Sequence, residues 1–325
     1  MAQSKTKSKL VSIVIVNYNG KNLLEVLLKS IAKSAYRNYE VIIVDNNSGD
    51  GSREYIKKNF KKVKLIINKK NLGYSGINSA LKYCRGKYLL FLNNDMELDK
   101  DCIRNLVKVL DSDNDIAMAA PKLVNFFERK YKSGGTWVSR AFYNGHIKDD
   151  GNNMIKEIPY LGVGLIRKDF VDLYGYLFDN DYFIYAEDLD LGLRIRLAGK
   201  KVMFEPNAIA YHMHSVTTQK TSKSFNTFLM ERNLLTTFFK ILSVGNIILY
   251  FPYALILRFA AILKDMLTLR FGMAFARIKA ILAVLLNFNN IMDKRKETQK
   301  FRKAADSYIL KVFTEKYLFR ENFIV

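Results

Sequence analysis

Short apolar runs and segments with helical spacing alternate along the first hundred residues. Residues 10–16 form a β-branched run that ends at the turn-forming residues 17–20, which predicts a strand buried on both faces. Residues 22–34 carry leucine or isoleucine three or four positions apart, which predicts a helix. The same patterns predict further strands at residues 40–44, 63–67 and 88–92 and a second helix around residues 78–83.

Strands that alternate with helices indicate an α/β fold with a mostly parallel sheet, flanked by helices and joined by right-handed crossovers. In such sheets the ligand site lies beyond the carboxyl ends of the strands. We therefore expect the polar loops after Val16, Val44 and Leu92 to face one crevice. Residues 121–160 are irregular and rich in Gly, Asn and Lys, which favours a surface excursion or mobile loop, and a final strand is predicted near residues 201–212.

The chain changes character after about residue 235. Residues 241–257 hold no charge, but they contain Asn246 and Pro252 and number only 17, whereas a spanning helix needs about 20. Residues 259–288 stay apolar with scattered lysine and arginine. We interpret both stretches as helices that lie in a membrane interface with basic side chains reaching the headgroups. The alternative is a helical bundle that packs on the main domain or on a second copy of the chain.

The three regions differ in composition, and the balance of charge indicates the kind of partner. We expect a basic tail at residues 1–9, an α/β domain at 10–235 and a C-terminal helical region at 236–325. The chain carries 52 Lys and Arg against 31 Asp and Glu, a net charge of +21. This charge predicts an anionic partner, which can be nucleic acid, an acidic membrane surface or a phosphorylated substrate.

Composition also excludes several classes of protein. With 49% hydrophobic residues and only 17 Gly and 4 Pro, the chain is neither disordered nor collagenous. Its two cysteines cannot form a disulfide framework or a cysteine zinc site, so a reducing compartment is expected. The tail is polar and Asn17 interrupts the apolar run after it, so no secretory signal peptide is predicted. We expect the catalytic body on the cytoplasmic side.

Carboxylates follow two of the predicted strands. Asp45 ends the second strand, where it can accept hydrogen bonds from a base or ribose, although capping the next helix is an alternative role. Neither the dinucleotide motif G-x-G-x-x-G after the first strand nor a P-loop occurs, so a nucleotide would bind by another route. Asp95 follows the strand at residues 88–92 and suits Mg²⁺ or Mn²⁺ bridging a diphosphate.

A third acidic cluster and two histidines lie later in the chain. Residues 187–190 contain three carboxylates, which at a helix start would complement the helix dipole. The aromatic residues just before them would also desolvate a carboxylate and raise its basicity, which suits a general base. His212 and His214 follow an apolar run. A histidine there is usually structural, but imidazole can also complete a Mn²⁺ site or position a phosphate.

Seven segments, in order across the first 235 residues, carry a resemblance to a known family. They are VSIVIVNYNG, VIIVDNNSGDGS, NLGYSGINSA, GKYLLFLNNDM, FDNDYFIYAEDLDLGLRIRLAGKKV, YHMHS and ERN. Together they resemble glycosyltransferase family 2, with the Rossmann-like GT-A fold, and in particular its rhamnosyltransferase-like branch that acts on lipid-linked saccharides. The Q-x-x-R-W motif of the processive synthases is absent and the single tryptophan is Trp137, which favours the addition of one sugar.

The resemblance implies a reaction and a role for each matching residue. It implies inverting transfer from a UDP-, GDP- or dTDP-sugar to a hydroxyl of a polyprenyl-linked glycan, in the assembly of a cell-surface polysaccharide or glycoprotein glycan, with Mg²⁺ or Mn²⁺. The chain has Asn93 where the D-x-D pattern of the family often begins with Asp, which allows a differently liganded metal. The implied residues are Asp188 and Glu187 for catalysis, Asn17, Asn19, Asp45, Asn71, Asn93 and Asn94 for the nucleotide, Asp95 and His212 (or His214) for the metal, and Gly162, Gly164 and Tyr185 for the acceptor.

Two other functions compete with this interpretation. A nucleic-acid-binding protein would use the same charge and the many aromatic residues, but the predicted acids of the crevice would repel a phosphate backbone, so we expect no nucleic acid. A catalytically inactive scaffold of the same fold is the second alternative. For the enzyme we expect an anionic membrane surface as a partner, at the cytoplasmic face of the cell membrane. Pairing of two copies through the C-terminal helices stays open.

Overall fold

The computed structural model of the chain describes residues 8–129, 131–148, 151, 153–213 and 222–317. The strands are β1 (Val11–Asn17), β2 (Tyr39–Asp45), β3 (Lys64–Ile67), β4 (Tyr88–Asn93), β5 (Met96–Leu98), β6 (Ile116–Asn125), β7 (Tyr131–Ser133), β8 (Thr136–Val138), β9 (Asn144–His146), β10 (Lys156–Glu157), β11 (Gly164–Arg167) and β12 (Lys201–His212). The helices are α1 (Lys21–Ala32), α2 (Ser52–Asn59), α3 (Cys102–Ser112), α4 (Lys168–Tyr174), α5 (Glu187–Leu197), α6 (Lys223–Ile241), α7 (Val244–Leu267), α8 (Phe271–Leu286), α9 (Phe288–Gln299) and α10 (Asp306–Leu310).

Ten of the described strands form one sheet, with the main order β10-β12-β6-β11-β4-β1-β2-β3, and the helices flank it. The pairs β4-β1, β1-β2 and β2-β3 are parallel, as the alternating pattern predicts. Their register places Asn17 opposite Asp45 and Val16 opposite Asn93. The carboxyl ends of these strands therefore lie at the same edge of the sheet, which confirms the predicted α/β fold.

The other half of the sheet is mixed. β11 runs antiparallel to both β4 and β6, while β6 and β12 are parallel. The short strand β5 pairs antiparallel with β12, so that Met96 lies opposite His212. The backbone N–H of Met213 donates to the carbonyl of Asp95 at 3.0 Å. Pairing with β12 therefore brings Asp95 and His212 together, although they lie 117 positions apart in the sequence (212 − 95).

The helix predicted around residues 78–83 is a 3₁₀ helix, and it begins earlier, spanning Gly73–Tyr83. The prediction that residues 121–160 form an irregular excursion is wrong in part, because β6 extends to Asn125 and β8 and β9 form a hairpin. Trp137, Val138 and Phe142 of this hairpin are buried, and Val138 and Phe142 share a core with the C-terminal helices.

The C-terminal helices share a second core with the sheet domain. Leu189 and Leu193 of α5 pack there with leucine and phenylalanine side chains of α6. The predicted boundary between residues 235 and 236 falls inside α6. Within the described residues, α7 is the one single helix long and apolar enough to cross a membrane, and most of it is exposed; α8 and α9 meet the same condition only together, with a bend of 68° between them.

Candidate functional site

Polar side chains from three strand ends form one hydrogen-bonded network. Asn17, at the end of β1, is fully buried and donates to Asp45 Oδ2 and to Ser48 Oγ, each at 3.1 Å. Its Oδ1 accepts from Asn94 Nδ2 at 2.8 Å. Gly20 makes this approach possible, because a Cβ atom at that position would lie 2.1 Å from Asn94 Nδ2. The loops after β1, β2 and β4 thus meet at one place, as the sequence predicts.

Asp45 organises the loop that follows β2. Its side chain is fully buried, and Oδ1 accepts from the backbone N–H of Ser48 at 2.9 Å and from Arg53 Nε at 2.8 Å. Asn19 lies on the exposed side of the same loop, with φ of 51°, and its Oδ1 accepts from the N–H of Gly49 at 2.8 Å. These contacts preshape the loop, and direct contact of Asp45 or Asn19 with a nucleotide stays a prediction.

The segment after β3 joins this network to the acidic cluster. Asn71 Oδ1 accepts from the N–H of Gly73 at 2.9 Å and from Asn46 Nδ2 at 3.2 Å. Gly73 has φ of 61°, and a Cβ atom there would lie 1.8 Å from the carbonyl oxygen of Phe183. The next residue, Tyr74, donates its backbone N–H to that carbonyl at 3.0 Å. Only glycine allows the two segments to approach this closely.

The Tyr74 hydroxyl lies among the predicted metal and catalytic carboxylates. Burial raises the pKa of this phenol well above its usual value, and the negative charges of Asp95, Glu187 and Asp188 raise it further. The side chain of Asn93 hydrogen-bonds the hydroxyl. The partly buried phenol of Tyr74 therefore lies within the electrostatic reach of acids from the β4-β5 connection and from the start of α5. The structure brings together Asp95 and Asp188, which the sequence places far apart.

The two acids at the start of α5 differ in access to solvent. Glu187 is buried, and its Oε2 has no hydrogen-bond partner among the described residues. Burial raises its pKa well above the usual range, and the charge of Asp188 adds to the shift. Asp188 is partly exposed, and desolvation raises its pKa to about 6. Asp188 is thus the accessible member of the pair, and its pKa of about 6 leaves it mostly ionised at neutral pH.

An unusual backbone conformation presents this pair. Tyr185 and Ala186, the two residues before the helix, have φ of 72° and 59°. Residues other than glycine rarely adopt such positive φ values. Asn233 of α6 donates from Nδ2 to the carbonyl oxygens of Ile184 at 3.1 Å and of Tyr185 at 2.8 Å. The strained turn is therefore held from the C-terminal helical layer.

Asp95 and His212 are the side chains that fit a divalent cation. Asp95 Oδ1 is buried and lies 3.3 Å from His212 Nε2, and no other hydrogen-bond donor reaches it in the described chain. One carboxylate oxygen and one imidazole nitrogen suit Mn²⁺, with phosphate oxygens supplying further ligands. Within the residues described, no group of three His, Cys, Asp or Glu side chains could hold a metal alone. His214, the alternative ligand, lies outside the described residues.

Similarity to known proteins agrees with this arrangement. Residues 12–166 match the family model described as Glycosyl transferase family 2. These residues form a family 2 glycosyltransferase domain. An uncharacterized glycosyltransferase of Haemophilus influenzae is 25% identical over 229 residues, which cover 67% of this chain and 68% of that protein.

Two further relatives from Escherichia coli are named as beta-1,3-glucosyltransferases acting from UDP-Glc on alpha-D-GlcNAc-diphosphoundecaprenol. WfgD is 33% identical over 88 residues (26% of this chain and 35% of WfgD), and WfaP is 38% identical over 90 residues (27% and 36%). The matched part of the chain spans about a third of the length of these two enzymes.

Solved structures show the fold of the chain. GalNAc-T7 with UDP, GalNAc and Mn²⁺ superposes with a TM-score of 0.58 at 19% identity, covering 72% of this chain and 48% of the other. The mannosyltransferase PcManGT from Pyrobaculum calidifontis with GDP-Man and Mn²⁺ gives 0.52 at 16% identity, covering 90% and 86%. The chain has the GT-A fold that the sequence segments imply.

The predicted acceptor residues of the transferase occupy different places. Gly162 borders Asp188, since a Cβ atom there would lie 3.2 Å from Asp188 Oδ2. Gly164 lies inside β11, where a Cβ would come 2.5 Å from Met118 Cε, so its place is in the packing of the sheet. Tyr185 is half-buried beside Glu187, whose charge, after burial, raises the pKa of its phenol.

Three residues of the site were not predicted from the sequence. Tyr74 lies in the NLGYSG segment, where the glycine before it signals the close approach of two backbones. Arg53 lies eight residues after the Asp45 that it pairs with, at the start of α2. Asn233 belongs to the ERN segment, but nothing in the local pattern indicates that it caps a turn 48 residues earlier.

Proposed function

We propose that the protein transfers one sugar, with inversion, from a nucleoside diphosphate sugar to a hydroxyl group of a lipid-linked glycan. The observation that carries the proposal is the partly exposed carboxylate of Asp188, whose charge, like that of Asp95, raises the pKa of the partly buried Tyr74 phenol. A base and a cation ligand near one another are what such a transfer needs. The names of the E. coli relatives, with a diphosphoundecaprenol-linked acceptor, support the acceptor class. Cell-surface glycan assembly is the corresponding process.

In the proposed reaction Asp188 accepts the proton of the acceptor hydroxyl while the hydroxyl oxygen attacks the anomeric carbon. The bond between that carbon and the diphosphate oxygen breaks in the same step, and the diphosphate leaves with its electron pair. A pKa of about 6 makes Asp188 ionised at neutral pH and more basic than an ordinary carboxylate. One displacement inverts the configuration, so no nucleophilic side chain is needed.

Asp95 and His212 would hold Mg²⁺ or Mn²⁺, and the cation when bound supplies positive charge to the departing diphosphate. Support for a metal comes from the buried Asp95 Oδ1 and from the Mn²⁺ in both structural neighbours. The nucleoside would lie over the network of Asn17, Asp45 and Asn94, whose hydrogen bonds set the shape of the loops. Asn71 and Asn93 line the path from this network to Tyr74.

Replacing the base tests the proposal. We expect Asp188→Asn to lower the transfer rate by about a thousandfold, since the amide cannot take the proton, and to leave nucleotide binding unchanged. Wild-type turnover should rise with pH through about 6, because the base must be ionised, and then level off. The rate is measured with the sugar donor and glycan acceptor that a thermal-shift panel of nucleotide sugars with Mg²⁺ or Mn²⁺ selects.

The matched control is Asp172→Asn, which alters an exposed carboxylate on α4 that pairs with Lys168. Its turnover should equal that of the wild type. Undiminished turnover in Asp188→Asn would reject the base. If no nucleotide sugar stabilises the chain while DNA is retained in a salt-dependent way, the nucleic-acid alternative is correct instead.

A further inference from the structure

The charged residues of α7 and α8 divide into two groups by the direction in which they face. Arg258 and Arg277 point inward to Glu231 of α6, and Asp265 points inward to Arg277. Arg258 Nε lies 3.1 Å from Glu231 Oε2, Arg277 Nε lies 2.9 Å from Asp265 Oδ2, and Arg277 also pairs with Glu231. Arg258 is only 1% exposed. This buried ion network fastens one face of each helix to the protein.

The opposite face of the two helices is apolar and exposed. Lys264, Arg270 and Lys279 are the exposed charged residues in this region, and all three are basic. Asp265, the one acidic residue between positions 244 and 286, is turned inward. We call this surface the apolar face; its large exposed side chains are Val244, Ile248, Leu249, Ile256, Phe259, Leu263, Met266, Leu267, Leu269, Phe271, Phe275, Leu282, Leu285 and Leu286.

We propose that the apolar face docks on the surface of an anionic lipid bilayer, with α7 and α8 lying in the interface. A contiguous apolar surface of this extent marks an interaction site in a folded protein. A purely basic rim around it complements anionic headgroups, and lysine and arginine side chains can reach them while the aromatic and aliphatic groups enter the acyl boundary. The surface itself carries this inference, and it does not depend on the proposed transfer reaction.

Two other occupants fit the surface less well. A spanning α7 would carry Arg258 and Asp265 into the hydrocarbon of the bilayer, together with their charged partners Glu231 of α6 and Arg277 of α8. A second copy related by a twofold axis would place the apolar face against itself. The basic residues of both copies, Lys264, Arg270 and Lys279 in each, would then meet with no exposed acid between them, which opposes association.

Vesicle flotation with the full chain tests the charge part of the proposal. We expect strong binding to phosphatidylcholine vesicles that contain about 30 mol% phosphatidylglycerol and much weaker binding to phosphatidylcholine alone. Each basic residue at such a surface contributes about fivefold to binding, so the triple variant Lys264→Gln, Arg270→Gln, Lys279→Gln should bind about a hundredfold more weakly. The control with the same charge change is Lys57→Gln, Lys61→Gln, Lys62→Gln, at exposed positions on and after α2. It should bind like the wild type.

A second pair of variants tests the apolar part. Phe259→Ser with Phe275→Ser removes two side chains that are 59% and 68% exposed, and vesicle binding should fall by about a hundredfold or more. Leu173→Ser with Ile155→Ser makes a similar change at exposed positions elsewhere and should have no effect. All variants change exposed groups, so their melting temperatures should match that of the wild type.

Three results would overturn the proposal. The first is equal flotation of the wild type with anionic and neutral vesicles, and the second is an equal loss of binding in the lysine variants of α2. The third is a stable dimer, measured by light scattering without lipid, that the Phe259→Ser, Phe275→Ser variant dissociates. That result would assign the apolar face to a second copy of the chain.

Discussion

The two ends of the site are built in different ways. At the nucleotide end, the register of parallel neighbours places Asn17 beside Asp45, and short loops complete the network. At the base end, the turn before Glu187 is held by α6, a helix more than 35 residues later in the chain (223 − 187 = 36). The first arrangement follows from local sequence and strand order. The second depends on long-range packing, so it should respond to changes in the C-terminal helices.

A buried group of charges links the base end to those helices. Lys240 of α6 is fully buried, and its Nζ lies 2.7 Å from both Asp179 Oδ2 and Asp190 Oδ1. Burial alone would raise the pKa of Asp179, but the charges of Lys240 and Lys294 outweigh it and hold the pKa below its usual value. Asp190 also pairs with Arg194 at 2.8 Å. The segment around the catalytic pair is therefore anchored on both sides.

The largest expected effect comes from breaking this anchor. Lys240→Met removes one cation and leaves two buried carboxylates with fewer partners, which should lower the free energy of unfolding by about 3 kcal/mol. Denaturant unfolding monitored by circular dichroism measures the change. The control is Lys29→Met, which breaks the exposed pair with Glu25 and should leave the stability nearly unchanged. Equal stability of the two variants would contradict the role of the buried group.

Asn233 should affect the reaction more than the fold. Asn233→Leu removes the two hydrogen bonds to the left-handed turn, so the catalytic pair should lose its fixed position and kcat should fall by about thirtyfold, equivalent to about 2 kcal/mol. KM for the donor should not change, because the nucleotide end is built separately. Water should reach Asp188 more easily, so its pKa should fall and the rising limb of the pH profile should move below pH 6.

The control for Asn233 is Asn105→Leu on α3. This change removes a single hydrogen bond, which Asn105 Nδ2 donates to the carbonyl oxygen of Asn207 at 2.8 Å. It should leave both kcat and the pH profile unchanged. A fall in stability for Asn233→Leu with an unaltered pH profile would show that Asn233 has only a structural role.

The same contrast explains what could be predicted from the sequence. The β-branched runs and the polar residues that end them predict β1, β2 and β4 and therefore the meeting of Asn17, Asp45 and Asn94. The segment at residues 121–160 was mispredicted in part, because the burial of Val138 and Phe142 depends on helices that come about a hundred residues later. The spacing of the charged residues did not predict which face of α7 and α8 is exposed. Arg258 and Arg277 turn inward because they pair with Glu231 on another helix.

The smallest expected effect concerns the space beside the base. Gly162→Ala would place a methyl group 3.2 Å from Asp188 Oδ2, which is closer than ordinary carbon-to-oxygen contact. The backbone there needs no positive φ, so the fold should tolerate alanine.

We expect the acceptor hydroxyl to approach Asp188 less closely in Gly162→Ala. The change should lower kcat/KM for the acceptor by about fivefold, or about 1 kcal/mol, with donor binding unchanged. Steady-state rates at varied acceptor concentration measure this change, and Gly245→Ala, at a position with open space around it, is the control. An effect confined to KM for the donor would place Gly162 at the nucleotide end, and the two ends of the site would then not be separate.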